Sequence, residues 1–491
     1  KVMKIFIADF EIMKYGRIVE HVESKVKAFK HLGHDIDIIQ ISPTSTKQKA
    51  YDKSLIELAD GSFESKQKIN SQNGGYEISE ATGYWKNNYY GYYLPPTNKI
   101  GIYEPDALEH WNELVKDADL ILWNFVPTKS SVWSHKDTSF WWKFFDLPSK
   151  IKQVFIVHDA YFDIRASNVS ALHEKILYLE CAHIAAYQCC ENIDMPRVLL
   201  LNPRYLDENS KMPVVLLKDR KEDFFAAHIF KSMKRVEDLL RAVPYFNHKE
   251  FEDDPQYNAT NYSVTVAGSG IEQAYMTSPD KVKENYICDL KYDPDLPKEL
   301  NKQITVWNRS EDHGMNYIGL VSSVEVTRRL QCTKFAIDPS WARHYAQYCR
   351  THINGFIIEA MLNGCYPVLR DYRGLEKVEK EIYDPLFENI RAVIIPWNAT
   401  PKEFAEALMK AEREITQKQY LDDTKHNFDL VMELFNAVKN AEETIRLIKG
   451  GKKLVNKELR RGEDSDTVTR VTREIMEDFF GIHLPIEFET E

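Results

Sequence analysis

Thr351-His352-Ile353-Asn354-Gly355-Phe356-Ile357-Ile358-Glu359, continuing through Asn363-Gly364 to Cys365-Tyr366-Pro367-Val368-Leu369, reads as a polar loop, a short helix, a glycine stop and a buried strand. This is one crossover of an α/β fold. The first turn of such a helix carries unpaired N–H groups at the positive end of its dipole, a ready site for a diphosphate. Asn354 and Gly355 stand at that start, and Glu359 follows as an acceptor for ribose hydroxyls. The layout suits a nucleotide sugar. An ordinary loop–helix–strand crossover with a surface glutamate produces the same pattern.

The surrounding chain repeats the rhythm. Lys4–Asp9 is a short apolar run, and a loop with Gly16 follows. Ile18, Val22, Val26, Phe29 and Leu32 then recur at helical spacing, and Ile36, Ile38 and Ile41 alternate as a strand. A β-α-β opening predicts a parallel sheet. Further strands are expected at 118–124, 152–157 and 198–201, and, after a linker over 204–223, at 224–227, 264–267, 304–307 and 317–319. Helices are expected over 402–417 and 424–448. Residues 43–108, rich in Tyr, Asn, Ser and Gly, break the pattern and read as an insertion, either a packed subdomain or a ligand-contacting surface. The expected organisation is an N-terminal Rossmann-like domain over 1–205, a second over 206–427, and C-terminal helices and tail over 428–491.

Composition narrows the function classes. At 491 residues, two large domains are the natural expectation. A net charge of −11 disfavours a dedicated duplex binder, so any nucleic-acid contact must use a local patch. Lys452, Lys453, Lys457, Arg460 and Arg461 form one candidate, which reads equally well as a solvated helix face. Arg328-Arg329 and Arg343 with Arg350 are weaker ones. Seven cysteines with no C-x-x-C spacing fit a reducing cytosol. No signal peptide and no apolar run near 18 residues is apparent, so no membrane partner is expected.

Gly16, His158-Asp159, Gly270 with Glu272, and Asn354-Gly355 with Glu359 all fall after expected strands or at helix starts. Ligands of open parallel sheets bind at those strand ends. Lys231 and Lys234 are candidate cations for a departing diphosphate, with solvated surface lysines as the plain alternative. The D-x-D matches at Asp35, Asp117 and Asp293 lie in or beside strands or in a proline-rich loop, so no metal site is implied.

Several of these pieces, in order, resemble one group of enzymes. Asp117–Thr128, with Asn124-Phe125-Val126-Pro127, is similar to an aspartate-rich strand ending in Asn-x-Val-Pro. Val157-His158-Asp159 is similar to a His-Asp pair after the next strand. Gly270-Ile271-Glu272 resembles a Gly-Leu-Glu turn, and Glu359, Gly364 and Pro367-Val368 match a Glu…Gly…Pro-Val series. The group is the GT-B glycosyltransferases, and within it the hydroxymethylcytosine DNA α-glucosyltransferases of T-even bacteriophages. The resemblance implies an α/β GT-B fold, two Rossmann-like domains with parallel sheets facing a central cleft. It implies a UDP-sugar donor, UDP-glucose or UDP-arabinose, with no obligatory metal. It further implies retaining transfer to 5-hydroxymethylcytosine in double-stranded DNA, in the cytoplasm of an infected bacterial cell. A glycan, lipid or small-molecule acceptor is the alternative. His158 and Asp159 would be catalytic, and Gly16, Lys231, Lys234, Gly270, Glu272, Asn354, Gly355 and Glu359 would hold the donor. Two positions depart from the pattern. Thr351 stands where many such enzymes carry a second glutamate, and His228 stands near the place of a phosphate-binding arginine.

Overall fold

The structure is a computed structural model. It describes residues 2–9, 17–42, 55–57, 63–65, 68–69, 76–77, 98–101, 104–125, 143–158, 175–183, 186, 190, 195–201, 203–206, 209–229, 236–246, 262–269, 315–318, 321, 323–340, 353–371, 389–396 and 399–450.

In the first half, β1 (Lys4–Asp9), α1 (Arg17–His31) and β2 (Asp35–Ser42) form the expected opening unit. Four short strands follow: β3 (Leu55–Glu57), β4 (Phe63–Ser65), β5 (Lys68–Ile69) and β6 (Tyr76–Glu77). They make two small two-stranded sheets, β3 with β4 and β5 with β6. Then come β7 (Asn98–Gly101), α2 (Ala107–Val115), β8 (Leu120–Phe125), β9 (Lys152–Val157), β10 (Ile176–Cys181) and β11 (Arg197–Leu199). The main sheet has seven strands in the order β11-β10-β9-β8-β1-β2-β7, all parallel. β1 and β9 are near-continuous apolar runs because both faces of the sheet are covered.

The second half holds β12 (Glu222–Ile229), α3 (Val236–Phe246), β13 (Val264–Ser269), β14 (Met315–Tyr317), α4 (Ser323–Cys332), β15 (Thr333–Ile337), α5 (Gly355–Leu362), β16 (Tyr366–Asp371) and β17 (Val393–Pro396). Its six strands run in the order β14-β13-β12-β15-β16-β17, again all parallel. The helices α6 (Pro401–Glu414), α7 (Gln417–Leu434) and α8 (Ala437–Lys449) close the described chain. A capping box starts α6, with Thr400 and Glu403 satisfying each other's backbone amides and Pro401 at the first helical position.

Each sheet reverses its winding once, between β1 and β8 in the first and between β12 and β15 in the second. Such switch points open the crevice in which doubly wound sheets bind ligands. The chain divides into two compact units, with boundaries that include Ser210–Lys211 and Glu433–Leu434. Helix α8 therefore belongs with the first sheet, where Ala437 and Ala441 join the core beside Val22, Val26, Leu122, Val154, Ile156 and Tyr178. The second core packs α3 and α6 on Phe224, Val264, Phe335 and Val368.

The continuous helix expected over 424–448 is two. Asn436 takes the N-cap of α8, its side chain accepting from the Val438 and Lys439 amides. Phe435 O and the Ala437 amide are bonded to Arg204 instead of continuing the helix. Helices α2 and α4 and strands β7, β10, β15 and β17 were not expected from periodicity, and β7 joins the main sheet from the stretch read as an insertion. The strand expected at 304–307 lies outside the described residues.

Candidate functional site

Alternation decides what the first sheet presents at its carboxyl edge. In β9, Val154 and Ile156 face α1 in the core, so His158, two residues on, emerges on that same face. In β8 the face runs Leu120, Leu122, Asn124, and in β1 it runs Ile5, Ile7, Asp9. Three polar side chains from three neighbouring strands thus cap one apolar face. They are joined: Asn124 Nδ2 donates to Asp9 Oδ2 at 2.8 Å, and His158 Nε2 lies 2.8 Å from Asn124 Oδ1. The Asp9 carboxylate can only accept, so it sets the Asn124 amide, and the amide oxygen then requires a proton on His158 Nε2. Asp9, Asn124 and His158 are 2%, 0% and 5% exposed, so the row is built into the fold. The His158 carbonyl accepts from His183 Nε2 at 2.6 Å, and His183 Nδ1 accepts from the Ala186 amide at 3.0 Å. The residue that follows β9 is therefore held through both its ring and its backbone.

The second sheet presents α5. Asn354 is its N-cap, with Oδ1 accepting from the Ile357 amide at 3.0 Å and its carbonyl from the Ile358 amide at 3.1 Å. Its Nδ2 donates to Asp338, which sits just past β15 and also accepts from the Ser340 amide at 3.1 Å. The carboxylate fixes which end of the amide faces the helix. Among the described residues, the Gly355 and Phe356 amides are the first-turn donors without a hydrogen bond. Glu359 is half-buried and stands four residues after Gly355, so the two share a helix face.

Beneath α5, His228 near the end of β12 donates from Nε2 to Ile337 O at 2.9 Å, and its ring meets Phe356 edge-on at 5.2 Å. Ladder pairing of β12 with β15 stops at Phe225 and Ala336. His228 therefore bridges the strands where they part and supports the first turn of α5. Arg370, at the end of β16, donates to Asp238 and to Pro339 O at 3.0 Å, and lies over the Phe404 ring. Arg328 and Arg329, read as possible phosphate contacts, pair with Glu325, and Arg329 pairs also with Glu222.

Of the residues singled out from sequence, the structure places His158 in one cluster and Asn354, Gly355 and Glu359 in another. Gly16, Asp159, Lys231, Lys234, Gly270, Glu272, Lys452, Lys453, Lys457, Arg460 and Arg461 lie outside the described residues, as do Arg343 and Arg350. Sequence reasoning missed the structural roles of Asp9, Asp338 and His183. A carboxylate at the end of an apolar strand was the available signal for the first two. Among the described residues no helix is long and apolar enough to cross a membrane.

No family model and no curated protein matches the chain at the level of sequence. Solved structures do. An alpha-glucosyltransferase in complex with UDP-glucose and DNA containing an abasic site matches with a TM-score of 0.55 at 12% identity, covering 91% of this chain and 100% of that one. A glycosyltransferase from Rickettsia africae matches with a TM-score of 0.52 at 11% identity, covering 91% and 98%. A point mutant of S. aureus TarM, in complex with Fondaparinux, alpha-GlcNAc-glycerol and UDP, matches with a TM-score of 0.51 at 12% identity, covering 91% and 100%. The two doubly wound α/β units have the GT-B glycosyltransferase fold.

Proposed function

We propose that the protein is a UDP-sugar-dependent retaining glycosyltransferase whose acceptor is the hydroxyl of 5-hydroxymethylcytosine in DNA. The arrangement at α5 carries the reading. A cap held by Asp338 leaves the Gly355 and Phe356 amides at the start of a helix whose same face carries Glu359, beside the switch point of a parallel sheet. Amides at a helix start suit the diphosphate, and a carboxylate one turn on suits the ribose hydroxyls. Gly16, Gly270 and Glu272 are proposed to complete the donor site. Several solved structures with this fold hold UDP, and some hold DNA as well.

In the reaction, the bond from the anomeric carbon to the diphosphate oxygen breaks, and UDP leaves with that electron pair. A bond from the acceptor oxygen to the same carbon forms, and the acceptor proton passes to a base. Asp159 is the proposed base, and His158 the proposed partner of the transferred sugar, its orientation set by Asn124. Lys231 and Lys234 neutralise charge on the departing diphosphate. The sugar is a hexose or a pentose, glucose or arabinose. Lys452, Lys453, Lys457, Arg460 and Arg461 are the proposed phosphate contacts to DNA.

The test is incubation of hydroxymethylcytosine DNA with a panel of UDP-sugars, read by nucleoside mass spectrometry. A gain of one hexose or pentose is expected. Glu359→Ala is expected to raise the donor KM about ten- to a hundredfold, the worth of a charge-assisted hydrogen bond. Asp159→Ala is expected to abolish the gain. Hydrolysis of a UDP-sugar with no transfer to DNA supports a glycan or small-molecule acceptor, which the net charge of −11 favours.

A further inference from the structure

Behind the Asp9–Asn124–His158 row lies a layer of buried charge that the reaction above does not use. His21 and Lys25, one turn apart on α1, and Glu180 on β10 are all fully buried. Lys25 Nζ stands 2.6 Å from Glu180 Oε1 and donates to Asn440 Oδ1 on α8 at 2.8 Å. His21 Nε2 lies 3.9 Å from the same Glu180 oxygen. The His21 ring meets the His158 ring edge-on, with centroids 4.6 Å apart and planes at 81°. Register produces this meeting. Glu180 pairs with Ile156, so Glu180, Ile156 and His158 share the face that α1 covers.

A buried ion pair rarely adds stability over apolar side chains of similar volume. Its position is the more informative property. The pair fixes a carboxylate beside His21, and His21 forms the wall against which His158 rests. We infer that Glu180, held by Lys25, which Asn440 binds in turn, is a positioning residue that sets the His21 ring and through it the orientation of His158. The inference rests on the proposal that His158 serves sugar transfer. Asn440 carries the same network into α8, so the last described helix is tied to Lys25, 415 residues away in the chain.

The test uses the full chain and two variants. Lys25→Met/Glu180→Gln removes both charges together and avoids stranding one in the core. His21→Phe keeps the ring wall and removes its tie to Glu180. Two quantities are read: kcat against donor KM, and the His158 ring resonances in 15N-histidine-labelled protein, assigned by their loss in His158→Gln. In both variants kcat is expected to fall roughly ten- to a hundredfold with donor KM within about twofold of the parent. The His158 Nε2–H resonance is expected to move or broaden. A folded variant that keeps its kcat overturns the inference, and so does one that loses kcat with the resonance unmoved. If the parent turns over no UDP-sugar, the transfer reading fails separately. The resonance then still reports whether Glu180 sets His158.

Discussion

Asn354 shows how one side chain can organise a site. Its oxygen caps α5 and its nitrogen is bound by Asp338, so the residue has a different task at each end. Asn354→Ala loses the cap and is expected to cost about 1 kcal/mol in urea unfolding. Asn354→Asp keeps a capping oxygen but sets a second carboxylate against Asp338. It is expected to lose more at pH 7, about 2 kcal/mol, because the new carboxylate repels Asp338 and offers it no N–H. If Asn354→Asp proves as stable as the parent at pH 7, the Asp338 contact is not what orients the cap. The arrangement of Asn354 and Glu359 on one short helix was legible from sequence because its parts lie within two helical turns. Asp338 was not, since it precedes the cap by sixteen residues and nothing local ties it to the helix. His158 was legible as a strand-end residue. Its tie to Asp9 was not, because adjacency in a parallel sheet joins residues that are far apart in the chain.

Among elements, the joint around α4, β15 and α5 depends on one guanidinium. Arg220 Nη1 donates to Leu330 O and Thr333 O, both at 2.7 Å, and Nη2 donates to Asn363 O at 3.2 Å and Gly364 O at 2.6 Å. The last turn of α4, the first residue of β15 and the end of α5 are thereby fixed together. Gly364 adopts a left-handed φ of +64°, and a Cβ there would lie 3.1 Å from Pro213 O and 3.2 Å from Arg220 Nη2. Arg220→Lys offers a single ammonium where two nitrogens serve four carbonyls. It is expected to destabilise the fold by about 2–4 kcal/mol, read as a lower urea midpoint at unchanged slope. A loss below about 0.5 kcal/mol would mean that the carbonyls find other donors. This joint explains why β15 escaped periodicity. The helix α4 ends at Cys332 and the strand begins at Thr333, with no loop, glycine or proline to mark the change. β10 and β17 were hidden differently, as six- and four-residue strands whose patterns stand out only once their neighbours are known.

At the scale of the whole molecule, the crossing between the units at Glu433–Leu434 was harder to read than the one at Ser210–Lys211. From sequence the divisions are expected at 205 and 427, and the compact units have boundaries at Ser210–Lys211 and Glu433–Leu434. Helix α8 returns to the first sheet through Lys25 and Asn440, and no local pattern announces a bond spanning most of the chain. Each unit also buries groups that resist losing a proton. In the first, burial and the nearby Glu180 push the Tyr178 hydroxyl well up. In the second, burial pushes Cys365 up to about 12 and raises both Tyr366 and Tyr420. All four disfavour the anion in the folded state, so the unfolded chain releases these protons first as pH rises. Their contribution to stability is complete below the unfolded values, 9.0 for the thiol and 10.0 for the phenols. For Cys365 it is lost between 9.0 and about 12, at a slope near 1.4 kcal/mol per pH unit for one proton. Cys365→Ser removes the earliest of these titrations, because a serine hydroxyl does not ionise in this range. Urea unfolding of the parent is expected to weaken from about pH 9, and that of Cys365→Ser from about pH 10, where the tyrosines begin. Equal onset in the two proteins would show that Cys365 is not the group through which the second unit first responds to alkali.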